Sequence, residues 1–302
     1  MQELAELETF VATARLGSFA AAAQQLGISA TMVGRRMQHL EDRYGARLLE
    51  RTTRVHKLTM FGAQFLQQSI RILDELAVLD ELSSPAAALK GSLRISAPTT
   101  LGVTTLGPAI SEFAKAHPAL SVELSLSNRR VDLVAEGYDL AIRVGDLPSS
   151  TLVSRRIGTY RLICCAAPSW LALHGRPAAP MDLATGGCIV NSNFNPPDVW
   201  HFTGAKGEAI AARISGALQL DSDEAQRIIA RQGGGIAYLP ADLVRPDLQD
   251  GSLVQLLEDF GTDSMPIHAI YPSRRLLPRR VGAAIDAIAT ALSRSDFAIS
   301  RR

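Results

Sequence analysis

Residues 10–29, FVATARLGSFAAAAQQLGIS, and residues 30–45, ATMVGRRMQHLEDRYG, decide the architecture of the N-terminal part of this chain. Leu4, Leu7, Phe10, Val11 and Ala14 recur every three to four residues, the pattern of a helix with one buried face, and Gly17 stops it. Ser18 stands where an N-cap is wanted, before the helix-favouring FAAAAQQL, and Gly27 ends that second helix. Ser29 caps a third, in which Val33, Met37 and Leu40 fall at i, i+4 and i+7. Short helices joined by a tight Gly-Ile-Ser turn predict a helix-turn-helix.

The segment RLLERTTRVHKLT (residues 47–59) mixes β-branched and basic residues and reads as a small hairpin or wing. Residues 35–57 hold seven Lys or Arg against three Asp or Glu, a local basic patch in a chain with a net charge of +1. From Thr59 one long helix is predicted. Phe61, Phe65, Ile72, Leu76 and Leu79 trace one apolar stripe, and Leu66, Ile70 and Leu73 a second beside it, ending near Ser83-Ser84-Pro85. So broad an apolar face needs a partner, and the same helix of a second chain would supply it. PAAALKG (85–91) has the composition of a hinge.

Beyond it strands and helices alternate: LRISAP, a helix near 102–116, SVELSLS, a short helix near 131–136, DLAIRVG, then LVSRRIG and YRLICCAA as two strands. This rhythm predicts an α/β domain with a largely parallel sheet. A second unit of that kind runs from about Pro168 to Phe260 through CIVN, ARISGALQLDS, a helix DEAQRIIARQG, GIAYLP and LVQLLEDF. IHAIYP and the helix RRVGAAIDAIATAL then return to the first, giving two lobes, two crossover strands and a cleft.

Composition narrows the function. With 302 residues, 47% hydrophobic and 20% charged, the chain can fold about two domains and is neither a fibre nor a disordered tail. The acidic N-terminus lacks a signal peptide's basic start, and no uninterrupted apolar run reaches membrane-spanning length, so a cytoplasmic protein is expected. Cys164, Cys165 and Cys188 show no CxxC spacing, and adjacent cysteines on an apolar strand read as core before they read as a redox switch. The six histidines show no HExxH or other ligand pairing, so no metal is expected, and no G-x-S-x-G elbow or P-loop appears around the serines and glycines. No cofactor and no catalysis are implied.

On the third helix the face opposite Val33, Met37 and Leu40 presents Thr31, Gly34, Arg35 and Gln38, a set suited to the major groove. Arg35 can bond guanine bidentately and Gln38 adenine. Gly34 costs about 1 kcal/mol against Ala in a helix interior, so either close approach to DNA or a tight helix crossing within the domain should favour it. Arg51, Arg54 and Lys57 are placed to reach phosphates or the minor groove and fix register. Arg36, Arg43 and Arg47 read as partners of Glu41, Asp42 and Glu50.

In order, these segments resemble the LysR-type transcriptional regulators. FVATARLGSFAAAAQQLGIS, VGRRMQHLEDRYGARLLERTTR and LT before a long helix are similar to that family's N-terminal domain. LRISAPTTLG, AHPALSVEL, VDLVAEGYDLAIRVGDLPSS, LVSRRIG and GGGIAYLP resemble its effector-binding domain, and RVGDLPSSTLVSRRIG its CrgA-like branch. Gly34 stands where the family usually has Ser, and Met60-Phe61 where Thr-Glu-Ala-Gly is usual. The resemblance implies an α+β multidomain chain. A winged helix-turn-helix would occupy residues 1–58, a linker and dimerisation helix with its hinge 59–90, and a two-lobed α/β domain like a type 2 periplasmic binding protein 91–302. Lobe I would take about 91–163 and 266–302, and lobe II about 164–265.

It further implies a regulator of operator DNA, controlled by a small molecule between the lobes and assembled as a homodimer or homotetramer, with RNA polymerase as a further partner. DNA-facing positions would be Ser18, Ser29, Ala30, Thr31, Gly34, Arg35, Gln38, Arg51, Arg54 and Lys57. Pro98-Thr99-Thr100 lies between a strand and a helix start, where free N–H groups and hydroxyls suit an anion. The resemblance places Leu101, Ser127, Asn128, Arg143, Val144, Asn191, Ser222, Gly235, Ile236 and Tyr238 in the same pocket. An arginine beside hydroxyls suggests a carboxylate or another small anion, an aromatic one among the candidates, although Arg143 equally suits a structural ion pair. The rival reading is a solute-binding or substrate-converting α/β protein with an accessory N-terminal domain.

Overall fold

Ser18 and Ser29 act as the caps their positions predict. In the computed structural model Ser18 Oγ accepts from the Ala21 N–H at 3.1 Å and Ser29 Oγ from the Met32 N–H at 3.2 Å. Residues 2–51, 56–83, 88–147, 152–262, 264–272 and 277–299 are described. The chain divides into two units, residues 1–88 with 275–279 and residues 89–274 with 280–302, each with its own core.

In the first unit, α1 (Gln2–Leu16), α2 (Phe19–Leu26) and α3 (Ala30–Tyr44) pack around Phe10, Val33, Met37, Leu40 and Leu48, all of them buried. Each such side chain contributes roughly 1.5–3 kcal/mol. Gly27 and Gly45 end α2 and α3 in the left-handed region, at φ 64° and 61°. The wing is an antiparallel pair, β1 (Leu49–Arg51) and β2 (His56–Leu58), with Glu50 opposite Lys57. Its tip, including Arg54, lies outside the described residues.

The long helix is α4 (Met60–Ser83), whose 24 residues span about 36 Å. Thr59 caps it, accepting from the Gly62 N–H at 2.8 Å and donating to the Arg47 carbonyl at 2.7 Å. Phe65, Leu66 and Leu73 pack on the unit's own core, whereas Phe61 and Ile72 are left 40% and 49% exposed. Met60, at the position where the sequence departs from the pattern it resembles, faces solvent.

The second unit runs β3 (Gly91–Ala97), α5 (Thr99–Leu101), a π-helical turn (Gly102–Leu106), α6 (Gly107–Ala116), β4 (Leu120–Leu126), α7 (Leu133–Glu136), β5 (Leu140–Val144) and β6 (Val153–Ala166). It continues with α8 (Pro168–His174), β7 (Ile189–Asn191), β8 (Val199–Thr203), β9 (Ala209–Arg213), β10 (Leu218–Leu220), α9 (Asp223–Arg231), β11 (Ala237–Pro240) and α10 (Ala241–Asp250). β12 (Val254–Gln255), β13 (Gly261–Thr262), β14 (Ser264–Tyr271) and α11 (Arg279–Ile299) complete it.

Four expectations are corrected here. The helix near 102–116 starts earlier, at Thr99, and is interrupted by the π turn. LVSRRIG and YRLICCAA are one strand, β6, because Gly158 and Thr159 stay in register with Ile267 and Pro266 of β14. The main sheet, ordered β11-β6-β14-β5-β3-β4, is mixed: β3 pairs in parallel with β4 and β5, but β14 is antiparallel to β5 and β6, and β11 and β12 are antiparallel to β6. The chain returns late from the second lobe, and β14 therefore enters from the other end. Finally, ARISGALQLDS forms two strands in different sheets, β9 on β8 and β10 parallel to β7, while LVQLLEDF contributes only the two residues of β12.

More than one core is built on this sheet. Leu93, Ile95, Leu140 and Ile142 face Phe113 of α6 and Ile285 and Ile288 of α11 in the first lobe. Cys164, Trp200, Phe202 and Tyr238 form the second lobe's core. Tyr160, on β6, packs against both.

Candidate functional site

Thr31, Arg35 and Gln38 lie at i, i+4 and i+7 on α3, opposite the buried Val33, Met37 and Leu40, and all three are exposed. None of them hydrogen-bonds a described residue through its side chain. Arg35 and Gln38 border an open hollow of about 560 Å³, so the first unit leaves their polar ends accessible. Ser29 and Ala30 are exposed at the start of the helix, and Ser18 is half-buried at the cap of α2. Lys57 is exposed on the wing. The side chain of Arg51 and all of Arg54 lie outside the described residues.

Two further expectations are corrected in this unit. Arg36 does not pair with Glu41, Asp42 or Glu50. It reaches α1, donating to Thr9 Oγ1 at 3.1 Å and the Ala5 carbonyl at 3.4 Å, while Arg43 pairs with Glu3 at 2.6 Å. Glu41 instead accepts from the Leu48 and Leu49 N–H groups, at 2.8 and 3.2 Å, tying α3 to the wing. Nor does a tight crossing require Gly34: a Cβ there would sit 3.7 Å from the Phe19 ring, an ordinary contact. The demanding glycine is Gly62, where a Cβ would lie 2.0 Å from the Leu48 carbonyl oxygen.

In the second unit, Thr100 at the head of α5 donates to Asp223 Oδ2 at 2.6 Å, and Asn191 Nδ2 donates to Asp223 Oδ1 at 2.8 Å. Burial pushes the Asp223 carboxyl up from its usual range, against the lowering pull of those two hydrogen bonds. This short chain joins α5 of the first lobe to α9 and β7 of the second. Nearby, Thr105 of the π turn points at Asp242, 3.4 Å away, and Arg245 holds the same carboxylate. Burial, with Asp223 and Asp242 close, keeps the Tyr160 phenol well above its usual range.

The chain of bonds extends into a cavity of about 370 Å³ between the lobes. The Asn193 N–H donates to Asn191 Oδ1 at 3.0 Å, and Asn193 lines the cavity with Gly145, Asp146, Phe194, Trp200, Tyr238 and Met265. Trp200 and Tyr238 stack at 5.1 Å and 21°, and the Tyr238 hydroxyl donates to the His201 carbonyl at 2.8 Å. The Trp200 indole N–H is buried with no acceptor among the described residues.

Two-lobed geometry and a bare polar helix face find their counterparts among known proteins. Residues 4–63 match the bacterial regulatory helix-turn-helix protein domain of the lysR family, and residues 86–293 match the LysR substrate binding domain. The chain belongs to the LysR-type transcriptional regulators. Among its relatives, the HTH-type transcriptional regulator YhjC of Escherichia coli K12 is 32% identical over 93% of this chain and 95% of its own length. The full-length virulence activator AphB of Vibrio cholerae and the regulator CrgA of Neisseria meningitidis each superpose with a TM-score of 0.60 at 30% identity, covering 95% of this chain and 98% of theirs. Its relatives are transcriptional regulators rather than enzymes, and among the described residues no helix is long and apolar enough to cross a membrane.

In this LysR-type regulator the pocket residues expected from sequence divide into three groups. Thr100 and Asn191 meet at Asp223, and Tyr238 reaches the cavity. A second group is absorbed by local structure. The Thr99 N–H donates to Asn128 Oδ1 at 3.1 Å, Ser127 Oγ accepts from the Arg129 N–H, and Ser222 Oγ caps α9 at the Ala225 N–H. Leu101 and Ile236 are core, Val144 packs against it, and Gly235 at φ 151° passes so close to the Gly187 carbonyl that a Cβ would lie 2.5 Å from it.

Arg143 stands apart. Ile142 faces the core with Leu101, so its neighbour Arg143 projects from the opposite face, donating to Ser96 Oγ at 2.9 Å, the Ile142 carbonyl at 2.7 Å and the Arg129 carbonyl at 3.3 Å. Burial, with Arg129 and Arg130 close by, pushes its guanidinium below the usual value. Among the described residues it forms neither an ion pair nor a hydrogen bond with Thr100. Asp223 is what sequence reading missed. Its one local signal is its place as the first residue after the cap of a helix, a common surface role for Asp; its partners are 123 and 32 residues away.

Proposed function

We propose that α3 enters the major groove of operator DNA with Thr31, Arg35 and Gln38 toward base edges, and Ser18, Ser29, Ala30 and Gly34 at the flanking backbone. Arg51, Arg54 and Lys57 of the wing would hold phosphates. The observation that carries this reading is the uncovered stripe Thr31-Arg35-Gln38 on a helix whose other face is core. Phe61 and Ile72, exposed on α4, support dimerisation through that helix. Two such dimers would make a tetramer that presents paired half-sites about one DNA turn apart. The protein would work in the cytoplasm, and as an activator it would add RNA polymerase as a partner.

The ligand that governs it would occupy the space between the lobes, beside Thr100, Asn191 and Asp223, and shift the population of lobe arrangements by binding one better than the other. Arg143, the residue that would select a carboxylate or another small anion, donates to Ser96 Oγ and to the Ile142 and Arg129 carbonyls. Duplex-binding titrations test the DNA part. Arg35→Ala should cost about 1–3 kcal/mol on the preferred operator and relax base preference, and affinity should fall with salt at a log-log slope near 0.9 per phosphate contact. Equal losses on operator and random duplex would reduce Arg35 to a phosphate contact, and a flat salt response would remove the DNA reading.

A further inference from the structure

We infer that Asp223 is a built-in occupant of the regulatory cleft. Its carboxylate ties the lobes together by taking two donors, the Thr100 hydroxyl and the Asn191 amide, for which the anionic group of a ligand must compete. The inference rests on the reading that the ligand acts between the lobes, and it goes further by naming the contact that the ligand displaces.

Helix α9 does not need Asp223 for itself. Ser222 Oγ already caps it by accepting from the Ala225 N–H at 3.3 Å, and Glu224, the other acid of the first turn, pairs with Arg227 at 2.9 Å. Asp223 turns instead to the other lobe, where the Thr100 hydroxyl donates to its Oδ2 at 2.6 Å. Its Oδ1 accepts from Asn191 Nδ2 at 2.8 Å. Asn191 is buried, and its own Oδ1 accepts from the Asn193 N–H at 3.0 Å, which fixes the amide with its NH2 end toward the carboxylate. One donor from each lobe therefore holds one oxygen each, an arrangement that any small carboxylate can adopt.

Both donors are neutral. Burial weighs on the ionised carboxyl, and the two hydrogen bonds offset only part of that effect, since the group stays above its usual range. Asp247 of α10 shows the contrast: it is buried too, but Arg227 and Arg231 hold it, at 2.5 and 3.2 Å, within the second lobe alone. Asp242 is likewise held inside α10 by Arg245, and Thr105 approaches it only to 3.4 Å. Asp223 is the carboxylate whose place depends on the other lobe, and neutral donors release it more readily than an arginine would.

The lobes share two strands. Tyr160 of β6 packs against both cores, and β14 passes from Met265 on the second to Ile267 in the first. A small rotation about these strands parts Thr100 from Asp223. Two like charges cannot share the same two donors, so the arrival of an anionic ligand and the departure of Asp223 are one event that frees α9 from the first lobe.

Chemical rescue of the full-length protein tests the proposal. Asp223→Ala removes the carboxylate and leaves its two donors, so about 100 mM sodium acetate should raise the melting temperature of this variant by about 2–4 °C over sodium chloride at equal ionic strength. The parent should not respond, and Thr100→Val added to Asp223→Ala should abolish the gain. Operator titration should find Asp223→Ala shifted about five-fold or more from the parent and returned toward it by acetate. An acetate response equal in parent and variant, one that survives Thr100→Val, or none in Asp223→Ala would overturn the built-in occupant. Should Asp223→Ala fail to fold, Thr100→Val alone carries the test: it should shift operator affinity by a similar factor, and parental affinity would overturn the proposal. Acetate stabilisation of Asp223→Ala with operator affinity unmoved keeps the contact and sinks control from the cleft, whereas an operator shift that acetate leaves untouched does the opposite.

Discussion

Two glycines of the first unit carry opposite loads. At Gly34 a methyl group fits, so Gly34→Ala should stabilise the isolated protein by about 1 kcal/mol, and the same substitution should weaken operator binding if the helix backbone lies against DNA. At Gly62 the added carbon would meet the Leu48 carbonyl at 2.0 Å, so Gly62→Ala should cost about 1–3 kcal/mol through backbone displacement. Thermal unfolding of both variants, with operator titration of the first, checks the pair. The three cysteines are equally decided by surroundings: all are buried, and burial pushes the thiols of Cys165 and Cys188 up to about 12 and that of Cys164 well above its usual value. A chromogenic disulfide reagent at neutral pH should therefore leave all three unlabelled until the chain is unfolded. Rapid labelling of any one of them in the native protein would reopen the redox reading. At this scale the caps Ser18 and Ser29 were legible because a cap is satisfied within three residues, whereas the partners of Arg36 and Arg43 were not, because they come from a different helix.

Among the elements, the helix from Thr99 to Ala116 shows how local geometry serves a distant contact. Residues five apart stand roughly 140° from one another around a regular α-helix, and the wider π turn brings Thr100 and Thr105 toward the same side, where Asp223 and Asp242 lie. Nothing in LRISAPTTLG announces that turn. The pH response of Asp223 follows from its raised carboxyl. A group whose folded-state pKa exceeds its unfolded one adds stability when protonated, below its unfolded value of 3.8, and loses it as pH rises through the folded value. At neutral pH the ionised Asp223 thus weighs against the fold, and the neutral Asp223→Asn, whose amide the Thr100 hydroxyl can turn to accept from, should melt no lower than the parent. On acidification to about pH 4 the parent should gain relative to the variant; a constant difference across that range would place the raised carboxyl elsewhere.

At the scale of the molecule, residues 89–302 hold their own buried cores around a shared main sheet and close with α11, so they should fold when expressed alone. Circular dichroism melting should show a single cooperative loss of structure, and duplex binding should be absent, since α3 is in the other unit. The sequence by itself determined the helix-turn-helix, its wing and the long α4. Each is specified by periodicity, caps and glycine stops within a few residues, and the 60-residue run in family order carried the function with it. It also placed the pieces of a two-lobed α/β domain in order. Only the tertiary structure decided that the sheet is mixed, that Arg143 is held by Ser96 and two backbone carbonyls, and that Asp223 is a group on which the lobes meet. Strand direction and side-chain convergence depend on where the chain returns after a hundred residues or more, and no local pattern of hydrophobicity or charge records that distance.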